Sequence, residues 1–419
     1  MTPLPPGATI AVIGAGIVGV CCAAELAEAG YTVRLFDRAA PGTGGPSKAN
    51  AAHIAVSEIL PLATPGIALH GWKYWLDPEG PLKISPSYLP AIAPWIARFM
   101  LESRPAAYRR GVAALAVLHG AAAGAVHDLY RRASLLAELH LSGSLFLYQS
   151  QRAFEASQPG WQIKAQHGFA SRTIEPEDLP EFEPDLAPIF AKGVLVPSSA
   201  RVSDSLRIVE GIFDYAQTNG ARFSRTEVEA LSHDGAGVQL RLASGTVERF
   251  DGAVVAAGAW SRRFSRALGD RIPLDTERGY NTTLPAPGVE VRHVLIFSEH
   301  GFVATPLASG LRIGGWVELG GLDAPPNYAR SRRMLDISQR FLPALCRDGG
   351  VEWMGHRPSL PDSVPVIGPA KQSDRIVYAF GHGHLGLTQA PATACLVRAL
   401  VSGAPPPFDP RPFRASRFI

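Results

Sequence analysis

"IAVIGAGIVGVCCAAELAEAGYTVRLFDR", residues 10–38, decides the fold. Residues 10–13 are a short apolar run that reads as a buried parallel strand. Gly14, Gly16 and Gly19 follow in G-x-G-x-x-G spacing. A helix should then run to about Ala29, with Gly30 as its terminator. A second strand, 31–36, ends at Asp37. Each part has a physical role in holding a dinucleotide. Gly14 permits the tight turn, Gly16 lets a pyrophosphate approach bare backbone, and Gly19 lets helix and strand pack closely. The helix N-terminus offers free N–H groups to phosphates, and Asp37 sits where a carboxylate can accept from an adenosine ribose. A βαβ unit with no ligand is the plainer reading. The motif alone does not separate NAD from FAD.

Bulk properties narrow the class. With 419 residues, 46% hydrophobic and 18% charged, the chain has enough apolar residues for a sizeable core and is too apolar for a disordered protein. A net charge of +3 without a dense arginine cluster argues against nucleic acid. The four cysteines, Cys21, Cys22, Cys346 and Cys395, form no metal spacing and read as reduced core residues of a cytoplasmic protein. The most apolar stretch, 8–24, nearly spans a bilayer in length. Its glycines and strand–turn–helix pattern place it in a core instead, and "MTPLPPG" lacks the positive start of a secretory signal. These readings predict no transmembrane span and no export.

Further along, residues 41–54 form a glycine-rich polar loop suited to a cofactor's ribityl chain, or else a surface loop. From 61 to 105 prolines mix with aromatics (Trp72, Tyr74, Trp75, Tyr88, Trp95), which reads as short helices and irregular chain. Residues 106–140 read as long helices carrying His119, His127 and His140, whose spacing suits solvated or capped histidines rather than ligands. A helix from about Asp204 stops at Asn219-Gly220, and a strand carries Val228. Residues 272–313 alternate strand and turn signals, predicting an antiparallel sheet. A helix is expected over 327–346, proline-rich extended chain over 353–370, a buried strand at "RIVYAF", and an extended tail from Ala404.

Three separated pieces converge: the N-terminal unit, "DGAVVAAGAWS" (251–261), and "GHRPSLPDSVPVIGPA" (355–370) with "YAFGHGHLGLT" (378–388). Together they resemble the D-amino-acid oxidase superfamily of flavoproteins, and within it the bacterial D-amino-acid dehydrogenases. The stretch 45–76 is similar to that group as well, so the resemblance covers nearly the whole chain. It implies an α/β plus α+β architecture. A Rossmann-like FAD-binding domain (8–60, 193–270, 352–403) would be interleaved with an antiparallel-sheet substrate domain (61–192, 271–351), followed by a tail (404–419).

The resemblance also implies the chemistry: FAD-dependent oxidative deamination of a D-amino acid, by hydride transfer from Cα to flavin N5. The two C-terminal motifs look most like the branch acting on cyclic substrates such as D-hydroxyproline or D-proline. Arg357 is implied to bind the substrate carboxylate, Tyr280 to face the substrate, and His53 to lie beside the ring. Cofactor contacts are implied at Gly14, Gly16, Ile17, Val18, Gly19, Asp37 and Arg38. A second group is Ser47, Lys48, Asn50, Ala52, Val228 (through backbone of the "ARFSRTEVEAL" strand) and Gly258. The loop at the C-terminal helix adds Gly381, Gly383, Leu385, Gly386, Leu387 and Thr388. Thr388 and Pro391 suit the first turn of that helix, whose positive end would face the flavin N1–C2=O edge. Arg278 stands where the dehydrogenase pattern most often has lysine, which leaves its part in selectivity open. Cys346 does not match a flavin-linking cysteine, so FAD is expected to be noncovalent. His382 and His384, two residues apart, do not read as a metal site. The implied acceptor is a quinone or a partner protein, with the enzyme in the cytoplasm or peripheral at the inner membrane face. A glycine- or sarcosine-type amine oxidase and a noncatalytic electron-relay subunit are the alternatives. An NAD(P)H-dependent flavin reductase would call for a second G-x-G-x-x-G, and none is present.

Overall fold

The computed structural model describes residues 2–67 and 80–418, so the aromatic positions Trp72, Tyr74 and Trp75 lie outside the described residues. The strand Thr9–Ile13 lies between Thr32–Asp37 and Gly252–Val255 in a six-stranded sheet, parallel to both. Arg222–Arg225 extends the sheet on one side and Ser373–Phe380 on the other, also parallel, and Val366–Ala370 closes the far edge antiparallel. Period-2 alternation sorts the side chains. Ile10 and Val12 enter the core shared with the helices Ile17–Glu28, Pro105–Arg132, Ser205–Thr218 and Gly386–Ser402. Ala11 and Ile13 enter the opposite core, under an antiparallel meander of Val228–His233, Val238–Leu242 and Val247–Phe250. Both faces are covered, which is why these strands are nearly all apolar.

A nine-stranded sheet forms the second layer. In it Asp275–Leu284 runs antiparallel between Val351–Ser359 and Gly310–Leu319. Phe302–Leu307, Val294–Phe297, Ser144–Tyr148, Lys192–Val196 and Arg172–Ile174 continue it. The helix Ala329–Phe341 packs on this sheet around Phe297, Phe302 and Phe341.

Several expectations change. Residues 352–359 and 193–196 belong to the nine-stranded sheet rather than to the dinucleotide unit, and the extended chain expected from 353 is, over Val351–Ser359, a paired strand. Alternation identifies a strand but not the sheet it joins, because the partner is distant in sequence. "ARFSRTEVEAL" is two strands in two sheets, with a turn between them. Pro105–Arg132 packs on the C-terminal helix within the dinucleotide unit's core, not in the substrate half. Among the described residues it is also the one helix long and apolar enough to cross a bilayer. Cys21 and Cys22 are buried, whereas Cys346 and Cys395 are half-buried. The tail forms short 3-10 turns, burying Phe413 and pairing Arg417 with Asp362 at 2.7 Å.

Candidate active site

A cavity of about 490 Å³ runs from the first glycine turn to the loop before the C-terminal helix, between the two sheets. At its first end Gly14 takes φ +107°, and a Cβ there would collide with the Ala256 carbonyl. A Cβ at Gly19 would overlap the Gly14 carbonyl, so this glycine sets the close packing of helix on strand. Asp37 is committed to the turn. Oδ2 accepts from the Ala15 N–H at 2.8 Å and Oδ1 from the Ala39 N–H at 3.0 Å. Ser47 Oγ accepts from the Ile17 N–H at 2.9 Å, tying the glycine-rich loop to the helix start. The Arg38 guanidinium lies 4.5 Å over the Trp260 ring. The Val228 carbonyl accepts from Arg263 at 2.6 Å.

Of the expected cofactor contacts, Gly14, Gly16, Ile17, Val18, Asp37, Arg38, Ser47, Asn50, Val228 and Gly258 line the cavity at this end and along its length. Gly383, Leu385, Gly386 and Leu387 line it at the other. Gly19, Lys48, Ala52, Gly381 and Thr388 do not. Lys48 is exposed. Ala52 is fully buried at φ +52°, with its carbonyl accepting from the Val202 N–H at 2.9 Å. Gly381 packs against Leu360, and the Thr388 hydroxyl accepts from the Ala55 N–H at 2.9 Å. The helix begins at Gly386, which puts Pro391 in its second turn rather than its first, and ends at Gly403 in the left-handed region (φ +73°).

Arg357 occupies the wall between the sheets. Its strand pairs with Asp275–Leu284, and the side chain leans over Gly279, where a Cβ would collide with the guanidinium. Beyond that strand, Nη1 donates to the Trp316 carbonyl at 3.0 Å and Nη2 to the Gly315 carbonyl at 3.1 Å. Trp316 holds φ +45°, a backbone state costly for a bulky residue and typical of functional sites. No carboxylate lies within 4.0 Å of the guanidinium among the described residues, and burial lowers its pKa against the opposing pull of Glu277.

The other two candidates sit differently. Tyr280 lines the cavity, but its hydroxyl donates to Glu318 and accepts from the Asn327 N–H at 3.1 Å, while its ring packs in the nine-stranded sheet's core. Arg278 is fully buried, paired with Glu318 at 3.2 Å and bonded to the Ala324 and Pro325 carbonyls. It does not line the cavity. His53 does, and its Nε2 is buried without a partner among the described residues.

Burial pushes His53 down to about 4 and His382 to about 3, which keeps both neutral, whereas His384, an exposed residue, is lowered by desolvation in the cavity wall and by Arg357. His382 is held by the Thr393 hydroxyl at 3.0 Å. No group of three potential metal ligands occurs among the described residues. His119 is buried, not solvated. It bridges the Val56 carbonyl (2.9 Å) and Gln389 (2.9 Å) and so ties the helix Pro105–Arg132 to both walls of the site. His140 lies in a strand and bonds Ser203 at 2.7 Å.

Sequence reasoning missed Glu277, Asn281, Arg312 and the Glu58–Lys164 ion pair (2.6 Å); of these all but Lys164 line the cavity. Alternation from Gly279 could have placed Glu277 and Asn281 on the cavity face. No local signal marks Lys164.

The site fits a flavin dinucleotide. Gly258 (φ +55°) and Gly383 (φ +53°) both line the cavity, and a Cβ at either would meet no protein atom within 4 Å, leaving bare backbone toward the open space. No cysteine lines it. A family model for FAD-dependent oxidoreductases matches residues 9–400. The chain is 34% identical to a D-amino-acid oxidase of Bradyrhizobium diazoefficiens, covering 99% of this chain and 100% of that protein. It is 27% identical to a D-amino acid dehydrogenase of Xanthobacter autotrophicus, covering 98% and 99%. Glycine oxidase from Geobacillus kaustophilus shares the fold, with TM-score 0.75 at 20% identity over 98% of this chain and 100% of that one. The motif, the cavity and the full-length match agree: the chain is a member of the FAD-dependent oxidoreductase family.

Proposed function

We propose that the protein oxidises D-amino acids at Cα as a dehydrogenase, giving an imine that water hydrolyses to the 2-oxo acid. The observation that carries this reading is Arg357, a guanidinium in the cavity wall with two backbone carbonyls as partners and no ion pair among the described residues. Its planar fork leaves N–H groups for a carboxylate to accept bidentately, which a lysine could not match. Bound FAD would supply the acceptor for the electrons and hydrogen leaving Cα. The amides at Gly16 and Val18, with the helix N-terminus behind them, would hold its diphosphate, while the Gly14 and Ile17 N–H groups, bonded to the Phe36 carbonyl and Ser47 Oγ, fix the shape of the turn. Asp37, Arg38 and Val228 would flank its adenosine, Ser47, Asn50 and Gly258 its middle, and Gly383, Leu385, Gly386 and Leu387 its ring. We assign the cofactor to the six-stranded sheet and the substrate to the nine-stranded one. Because burial holds His53 well below its usual pKa, it stays neutral and does not compete with Arg357 for the substrate's acid group. Tyr280 shapes the wall without offering a free hydroxyl.

Within this class the wording of the two C-terminal motifs supports cyclic substrates such as D-hydroxyproline or D-proline. A quinone or an electron-transfer protein at the inner membrane face is the acceptor in this reading. An oxygen-using oxidase is the second reading, favoured by the 34% identical relative of that name. A screen of D- and L-amino acids, glycine and sarcosine by dye reduction, with and without oxygen, separates them. Arg357→Ala should raise KM about 100-fold with flavin retained, since truncating a buried charge partner costs about 3 kcal/mol. An unchanged KM for every substrate would remove the carboxylate assignment.

A further inference from the structure

Glu277 faces Arg357 directly across the strand pair, Cα opposite Cα, and both side chains line the cavity. Opposite charges in that position ordinarily meet. Here they do not. Arg357 leans away over Gly279 to the carbonyls of Gly315 and Trp316. Glu277 Oε1 is held by the Ser359 hydroxyl at 2.6 Å, and no ion pair joins the two residues. Oε2 has no hydrogen-bond partner among the described residues, although the residue is only 4% exposed. His384, from the loop before the C-terminal helix, lines the same cavity and feels both Glu277 and Arg357. A carboxylate left unpaired in a closing cavity is costly. Two opposite charges side by side but tied apart match a ligand that carries two opposite charges on substituents of one carbon.

We propose that Glu277 receives the α-amino group of the substrate, so that Glu277 and Arg357 together read an α-amino acid as a zwitterion. This rests on the amino-acid reading above and deepens it. Glu277 Oε2 accepts a hydrogen bond from the ammonium and then takes its proton. One N–H bond breaks and one O–H bond forms, leaving the neutral amine whose lone pair pushes hydrogen from Cα. Ser359 is a positioning residue that holds Oε1 so that Oε2 faces inward.

The test compares ligands with and without the amine on flavin-loaded enzyme: D-alanine with propionate, and D-proline with cyclopentanecarboxylate, by calorimetric titration under anaerobic conditions after the flavin has been chemically reduced, so that no amino acid is oxidised during the measurement. Glu277→Gln should weaken each amino acid at least tenfold while leaving its amine-free partner unchanged or tighter. Its kcat/KM should also climb about tenfold per pH unit up to the amine's own pKa, whereas the unsubstituted enzyme levels off below it. Ser359→Ala should weaken the amino acids in the same direction, by a smaller factor, and it serves if the first variant loses flavin. Equal weakening of both members of each pair would make Glu277 only a counter-ion to Arg357 and overturn the proposal, as would no change in either. Amine-free acids that bind Arg357→Ala as well as they bind the parent would sink the carboxylate assignment instead, and the Glu277 comparison would still report on the amine.

Discussion

Gly14, Asp37 and Ser47, at one end of the cavity, hold one another through backbone N–H groups close in sequence. Arg357, at the other end, depends on Gly279, Gly315 and Trp316, which reach it only through strand pairing in the nine-stranded sheet. The first end is a property of one supersecondary unit. The second exists only when a large antiparallel sheet is in register. A binding end for a constant ligand can be written locally. In the proposed function the second end selects the substrate, and it draws its groups from several strands, so each can vary without disturbing the cradle.

The strongest way to break this comparison is at Gly19. An alanine there drives its Cβ into the Gly14 carbonyl, and because backbone cannot give way, stability should fall by about 3 kcal/mol or more. Thermal unfolding and flavin content should drop together. Gly279→Ala attacks the other end. It should displace the Arg357 guanidinium and raise KM about 100-fold, with flavin content and melting temperature little changed. Loss of flavin in this variant would show that the two ends are not separable. Ser47→Ala removes the acceptor of the Ile17 N–H. The missing bond should weaken FAD about tenfold, near 1.4 kcal/mol, read by flavin release during dilution.

The last effect is on pH. His53 and His382 have folded-state pKa values near 4 and 3, below the value of about 6.5 expected unfolded. The unfolded chain therefore binds more protons below pH 6.5. Stability should decline as pH falls through that value, by up to about 1.4 kcal/mol per unit per histidine, until the folded pKa is reached. Both histidines sit at the selecting end and none lines the first glycine turn. Hydrogen exchange at pH 5 should therefore rise over 380–387 before it rises over 14–20, and simultaneous opening would contradict the division.

The same division explains what was legible. The glycine spacing, the strand ending at Asp37 and the helix stop at Gly403 are local events, so the sequence states them outright. Arg357 was legible through its motif, but its support was not. Nothing near residue 357 points to Gly279 or Trp316, because strand register is set by the whole sheet. The bond between Glu277 and Ser359 was hidden for that reason, and so was the split of 221–231 between two sheets. Tyr280 was found by its motif, yet the hydroxyl's capture by Glu318 and Asn327 needed the folded neighbours.

The six-stranded sheet carries one further consequence, for biosynthesis. Its central strand, Thr9–Ile13, leaves the ribosome well before the neighbour-but-one, Ser373–Phe380, and the helix packed behind it, which lie most of the given chain away. At roughly 5–20 residues per second the interval is tens of seconds. Through that time the apolar strand waits without its closing partners, which makes it a natural client for chaperones.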